Sequence, residues 1–174
     1  MSPKKEIDMQ EKSIVLDQQQ IQQKIERIAF EIYENTFEED VLFVAGISGN
    51  GFLLAERMVS LLAKISDQDV RLFEVTVNKD NPLDEDIKLS IADSDLSKRT
   101  VIIFDDVINS GRTMIHAVRR ILDNKLNVLK VATLVNRTHR RYPVQADFVG
   151  LNISTTLQDN IIVELGANEI AYLE

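Results

Sequence analysis

Hydrophobic residues along this chain follow two spacings. In the first they recur every three or four positions: Ile21, Ile25, Ile28 and Ile32, then Leu54, Met58, Leu61 and Leu62, then Ile115, Val118 and Leu122. Each set makes a stripe down one side of a helix. In the second they form short runs: Val41 to Ala45, Phe73 with Val75 and Val77, Val101 to Phe104, Val128 to Val135 and Phe148 to Leu151. Unbroken runs such as Val101 to Phe104 suit strands covered on both faces of a parallel sheet, and the alternation of Phe73, Val75 and Val77 with Glu74 and Thr76 also reads as a strand. The two patterns take turns along the chain, which predicts an α/β fold with a central, mainly parallel sheet flanked by helices. Asp17 is placed to cap the first helix, which should end near Asn35. A short strand over Ile14 to Leu16 and a terminal hairpin from Ile161 to Leu165 and Glu169 to Leu173 complete the predicted elements. Met1 to Ser13 is polar and mixed in charge, so residues 1–13 read as a flexible N-terminal tail and 14–174 as one domain without repeats.

Composition narrows the class. With 174 residues and 44% hydrophobic content there is material for one ordinary core. No apolar run approaches the roughly 18 residues that span a bilayer, and the charged N-terminus is unlike a signal peptide, so a cytoplasmic protein without membrane contact is expected. There is no cysteine and there are two well-separated histidines, which excludes disulfides and thiolate or zinc-type metal sites. The net charge of −8 disfavours RNA as a partner, because phosphate contacts need clustered Lys and Arg. Arg137 to Arg141 is the one such cluster in the sequence.

The chemistry concentrates in Val101 to Met114, VIIFDDVINSGRTM. Asp105 and Asp106 should emerge at the carboxyl end of the buried strand, where open α/β sheets place their ligands. The compact turn Asn109, Ser110, Gly111, Arg112 and Thr113 then opens a helix whose unpaired N–H groups and dipole favour an anion. Carboxylates repel phosphate but accept from vicinal hydroxyls, so acids beside an anion nest describe a ligand with a diol and a phosphate, as in a ribose 5-phosphate. The common nucleoside triphosphate and dinucleotide glycine motifs are absent from the sequence. A solvated acidic loop in an ordinary strand–helix crossover would use the same residue types.

Three further loops follow predicted strands at the same edge. Gly46 to Gly51 carries three glycines in six residues and could admit a second anion through Ser48, Gly49, Asn50 and Gly51. Asn78 to Asp86 is charged and reads by composition as a surface loop, with Lys79 its one cation. Asn136 to Pro143 should form a loop able to contact a base or cofactor, with Asn136 and Arg137 at its start. His139 reads as a solvent-facing loop residue and His116 as a structural one.

At VIIFDDVINSGRTM the chain resembles the 5-phosphoribosyl-1-pyrophosphate (PRPP) binding motif of the type I phosphoribosyltransferases. That resemblance implies a type I phosphoribosyltransferase fold with a small hood over the sheet. It implies that Asp105 and Asp106 hold the ribose hydroxyls and that Asn109 to Thr113 hold the 5-phosphate. Ser48 to Gly51 would bind pyrophosphate, and Lys79, on a mobile loop, would stabilise developing negative charge. Mg²⁺ would arrive with PRPP, near Asp105 and Asp106, without a metal site made by protein alone. A homodimer or higher homo-oligomer is implied as well.

Within that family the chain is most similar to pyrimidine-operon regulators that double as uracil phosphoribosyltransferases. VLDQQQIQQKIERIAFEI, AGISGNGFLLAERM and LVNRTHRRYPVQADFVGLNIST extend the likeness over nearly the whole chain after Lys12. The departures matter. Glu26, Phe30, Asn35 and Leu151 stand where such regulators carry RNA-contacting residues, leaving only His139 and Arg140 of that surface, and so argue against RNA attenuation. Ser48 and Asn50 replace a lysine and an arginine, and Asn78 and Lys79 a tyrosine and an arginine, so turnover should be low. Asn109 stands where many purine enzymes have an aspartate, and an amide cannot take the purine N7 proton, which favours a pyrimidine. Two functions are expected: a phosphoribosyltransferase acting on a pyrimidine such as uracil, or a weakly active or non-catalytic sensor of PRPP or nucleotide. A branched side chain in place of Gly111 is expected to fill the phosphate nest.

Overall fold

The computed structural model describes residues 12–156 and 158–174, so most of the expected N-terminal tail, residues 1–11, lies outside the described part. A six-stranded sheet runs in the order β4-β3-β2-β5-β6-β7. Its strands are β2 (Val41–Ile47), β3 (Asp69–Thr76), β4 (Lys88–Leu89), β5 (Thr100–Ile108), β6 (Val128–Arg137) and β7 (Phe148–Ile153). All pair in parallel except β4, which returns antiparallel to β3. The hood is a three-stranded antiparallel sheet of β1 (Ser13–Leu16), β9 (Ile170–Leu173) and β8 (Ile161–Glu164), in that order. Ser13, assigned above to the tail, pairs with Leu173 in this sheet.

Helices α1 (Gln18–Thr36) and α2 (Asn50–Ile65) cover one face of the large sheet, and α3 (Arg112–Ile121) covers the other. The strand period of two sorts the core. Leu42, Val44, Ile102 and Phe104 pack towards α1 and α2, while Phe43, Ala45, Val101 and Ile103 pack towards α3. Asp17 begins α1 with a reciprocal cap: its Oδ1 accepts from Gln20 N at 2.8 Å and its own N donates to Gln20 Oε1 at 3.0 Å. Such a cap contributes about 1 kcal/mol. The four stripe isoleucines of α1 are all fully buried, and at about 1.5–3 kcal/mol each they hold the helix far more strongly.

Several boundaries differ from expectation. Strand β5 continues through both aspartates to Ile108, because Asp105, Val107 and Ile108 stay in register with Thr133, Val135 and Asn136 of β6. Strand β6 likewise continues through Asn136 and Arg137, which are therefore not loop residues. Strand β2 runs to Ile47 and α2 starts at Asn50, reducing the glycine-rich loop to Ser48 and Gly49. On α3 the buried face is Met114, Ala117 and Ile121, while Leu122 ends the helix exposed. Met114 is buried at the centre of that face, and Ile115 and Val118 pack partly buried against the same core.

Candidate active site

The carboxyl end of β5, the first three residues of β8 and the starts of α2 and α3 enclose a cleft of about 340 Å³. Asn50, Lys79, Asp105, Asp106, the whole segment Asn109 to Thr113, and the hood residues Ile161 to Val163 line it. The parallel register of β5 with β2 and β6 carries both acids to this edge.

Gly111 makes the turn possible. It caps α3 in the left-handed conformation, φ 82° and ψ −1°, which costs a residue with a Cβ about 1–2 kcal/mol. Its carbonyl accepts from Ile115 N at 3.0 Å, so the helix is closed behind it. The Ser110 carbonyl accepts from Arg141 N and Tyr142 N, both at 3.0 Å, which fixes the turn from outside. The Arg112 amide donates to Ser110 Oγ at 3.2 Å. Among the described residues, no protein group accepts from the amides of Ser110, Gly111 or Thr113. They are open for an anion at a helix start. A Cβ built on Gly111 would lie 3.2 Å from Tyr142 O. A side chain there therefore also presses on the supporting loop.

The acids differ in setting. Asp105 is 5% exposed and its Oδ1 accepts from Asp106 N at 3.0 Å. Burial first, and then the neighbouring charge of Asp106, push its carboxyl well above the ordinary carboxylate range, with the Lys79 ammonium pulling the other way. Lys79 Nζ lies 3.7 Å from Asp105 Oδ1, so the charged loop is drawn over the cleft. Arg112 reinforces this by donating from Nη1 to Asp80 O at 3.2 Å. Asp106 is partly buried, and its Oδ2 accepts from Asn50 Nδ2 at 3.0 Å.

The glycine-rich loop divides its tasks. Gly49 has φ 90° and caps α2, and among the described residues the amides of Gly49 and Asn50 have no protein acceptor. Ser48 N is used, donating to Val75 O at 2.9 Å. Gly46 and Gly51 serve packing: a Cβ at Gly46 would fall 2.5 Å from Phe52 Cα, and one at Gly51 2.9 Å from Asp105 Oδ1. Gly51 thus lets α2 approach the first acid, and does not line the cleft.

Asn136 and Arg137 are both 6% exposed and lie outside the cleft. Asn136 Nδ2 donates to Asn152 Oδ1 at 2.8 Å. Arg137 donates from Nε to Thr155 Oγ1 and from Nη2 to Thr156 O, both at 2.5 Å. A guanidinium so paired is a strut for the segment after β7. The basic cluster is therefore dispersed, since Arg140 also donates to Val144 O and sits 3.5 Å from Asn136 Oδ1. His139 is exposed, and His116 on α3 has a buried Nδ1 without a partner among the described residues. No group of three or more His, Cys, Asp or Glu able to hold a metal occurs among the described residues. The pair Asp105 and Asp106 would fit an ion only alongside oxygens brought by a substrate.

Sequence reasoning missed Ile161 to Val163 as cleft residues and Arg112 as a contact of the charged loop. Neither has a local signal, because both depend on segments more than thirty residues away.

The sequence matches the phosphoribosyl transferase domain family over residues 11–169. It is 37% identical over 161 residues to the bifunctional protein PyrR of Macrococcus caseolyticus, covering 89% of this chain and 92% of that protein. It is 34% identical to the PyrR of Bacillus cereus, covering 90% and 92%. Among solved structures, a hypoxanthine-guanine phosphoribosyltransferase from Bacillus anthracis superposes with TM-score 0.65 at 23% identity, covering 81% of this chain and 82% of that one. The hypoxanthine phosphoribosyltransferase of Trypanosoma cruzi superposes with TM-score 0.69 at 16% identity, covering 86% and 85%. At these identities the structural likeness speaks for the fold. Sequence match, cleft and sheet order agree, and the chain belongs to the type I phosphoribosyltransferase family.

Proposed function

We propose that this phosphoribosyltransferase transfers the 5-phosphoribosyl group of PRPP to a pyrimidine such as uracil and releases pyrophosphate. One observation carries it: two carboxyl groups, a set of unpaired turn amides and a lysine converge on a single cleft. Asp105 and Asp106 accept hydrogen bonds from the ribose diol, and the open amides of Ser110, Gly111 and Thr113 hold the 5-phosphate. The C1–O bond to pyrophosphate breaks as a base nitrogen attacks the anomeric carbon, through an oxocarbenium-like transition state. Both electrons of that bond leave with pyrophosphate. Lys79 and the amides of Gly49 and Asn50 stabilise that charge. Magnesium would arrive with PRPP, near Asp105 and Asp106, and would supply positive charge to the departing pyrophosphate. Ser48 and Asn50 supply no cation to this end, so turnover is slow. Asn136 and Arg137 support the site indirectly, as buried struts.

The preference for a pyrimidine rests on Asn109, whose amide offers a purine no proton acceptor of the carboxylate kind, and on the likeness to PyrR. The chain acts in the cytoplasm as a homodimer or a multiple of one, over the single domain 14–174. RNA is not a partner, because Arg140 spends its guanidinium on the protein and Glu26, Phe30, Asn35 and Leu151 offer no cation.

Pyrophosphate release from PRPP and Mg²⁺, measured with each nucleobase in turn, tests the assignment. Release with uracil above all purines is expected. No release with any base, together with micromolar nucleotide binding, would favour a non-catalytic sensor instead. Asn50, whose amide occupies Asp106, is the observation that keeps that second function in view.

A further inference from the structure

We infer that Asn50 and Asn109 form a two-point clamp that docks the outer edge of hood strand β8 onto the ribose end of the cleft, and so act as positioning residues for the acceptor base. This role rests on the phosphoribosyl-transfer function above.

Strand β8 is the edge strand of the hood sheet, so its polar groups on the side away from β9 lack a strand to pair with. Two side chains supply that partner. Asn109 Oδ1 accepts from Ile161 N and Asn109 Nδ2 donates to Ile161 O, both at 3.3 Å, as a neighbouring strand would do. Two residues on, Asn50 Nδ2 donates to Val163 O at 2.7 Å. The two-residue spacing is the ladder repeat of an antiparallel edge. The second hydrogen of Asn50 goes to Asp106 Oδ2 at 3.0 Å. One neutral amide thus joins the hood to a carboxylate of the ribose site.

Both asparagines stand at positions where charge would serve worse. A carboxylate at 109 could accept from Ile161 N but not donate to Ile161 O. A carboxylate at 50 would face both Asp106 and a carbonyl. Ile161 and Val163 are buried, and Ile162 is only partly covered. With a ribose on Asp105 and Asp106 and its 5-phosphate on the turn amides after Asn109, strand β8 is the hood wall of the cleft left to the base. Releasing the clamp should therefore weaken the base end of a ligand more than its phosphate end.

The test uses full-length Asn50→Ala, Asn109→Ala and Asn50→Asp proteins. Amide hydrogen exchange without ligand is expected to speed up about tenfold or more across residues 161–164 in both alanine variants, with residues 101–104 unchanged. Calorimetry with UMP and with ribose 5-phosphate should show UMP weakened about tenfold and ribose 5-phosphate less than about threefold. Asn50→Asp should be worse than Asn50→Ala for UMP, which mere loss of packing would not produce. Unchanged exchange in β8, or equal weakening of both ligands, overturns the clamp. If the unaltered protein releases no pyrophosphate with any base, the catalytic assignment fails while the exchange comparison still decides the clamp.

Discussion

Replacing Asp105 by asparagine should stabilise the fold while crippling the site. The carboxyl is 5% exposed, lies next to Asp106, and has its proton affinity raised by burial and by that neighbour. Above the ordinary aspartate value of about 3.9 the unfolded chain has given up this proton, while the folded chain still binds it. The folded state then holds one more proton than the unfolded state, so stability falls as pH rises, by about 1.4 kcal/mol per pH unit. The loss continues until Asp105 ionises in the folded protein, after which it levels off. The contribution is thus complete below the unfolded value and gone above the folded one. The asparagine variant has no such slope, and its side-chain carbonyl can keep the 3.0 Å bond from Asp106 N. Urea unfolding of both proteins from pH 4.5 to 8 should give stability curves that diverge as pH rises, the variant being the more stable at pH 7.5. Its PRPP turnover should fall about ten- to hundredfold, as expected for losing a charged acceptor of a hydroxyl proton. Curves that stay parallel throughout, or a variant less stable at pH 7.5, would refute the buried-repulsion argument.

Three other substitutions probe neighbouring parts. Lys79→Met removes an attraction of about 1 kcal/mol in a water-like medium and about 4.5 at an effective dielectric of 20; half-exposure of Lys79 places it near the lower figure. Stability at pH 7.5 should change little, the levelling of the pH curve should move to higher pH, and kcat should fall more than PRPP binding in steady-state assays. Gly111→Ala should cost about 1–2 kcal/mol in urea unfolding and weaken ribose 5-phosphate in calorimetry, because a positive φ is required there and Tyr142 blocks relaxation. Arg137→Met should lower stability by about 2–4 kcal/mol through its lost bonds to Thr155 and Thr156 and leave PRPP and uracil KM values alone, which separates a strut from a ligand contact.

The layers of the fold could be read from the sequence because a parallel strand must be apolar on both faces and a covering helix on one. Val101 to Phe104 and the isoleucine stripe of α1 leave no other placement. The strand ends could not be read this way. Asp105, Asp106, Asn136 and Arg137 look like loop residues by polarity, yet ladder pairing carries them on inside β5 and β6. Burial of Arg137 is compensated by Thr155 and Thr156, partners eighteen and nineteen residues away that no local pattern reveals. The acids and the 109–113 turn were legible because strand, charge and glycine follow one another without a gap. The hood's share of the cleft was not, since Asn50 meets Val163 across 113 positions and Asn109 meets Ile161 across 52. Gly46 and Gly51 misled for a different reason: a glycine needed for helix–strand contact looks the same in sequence as one needed for a ligand.

A crystal structure of the protein with UMP bound addresses the central claim most directly. Phosphate oxygens are expected about 2.7–3.2 Å from the amides of Ser110, Gly111 and Thr113, with the ribose hydroxyls on Asp105 and Asp106. A nucleotide whose phosphate lies elsewhere, or whose ribose leaves both carboxyl groups untouched, would contradict that claim.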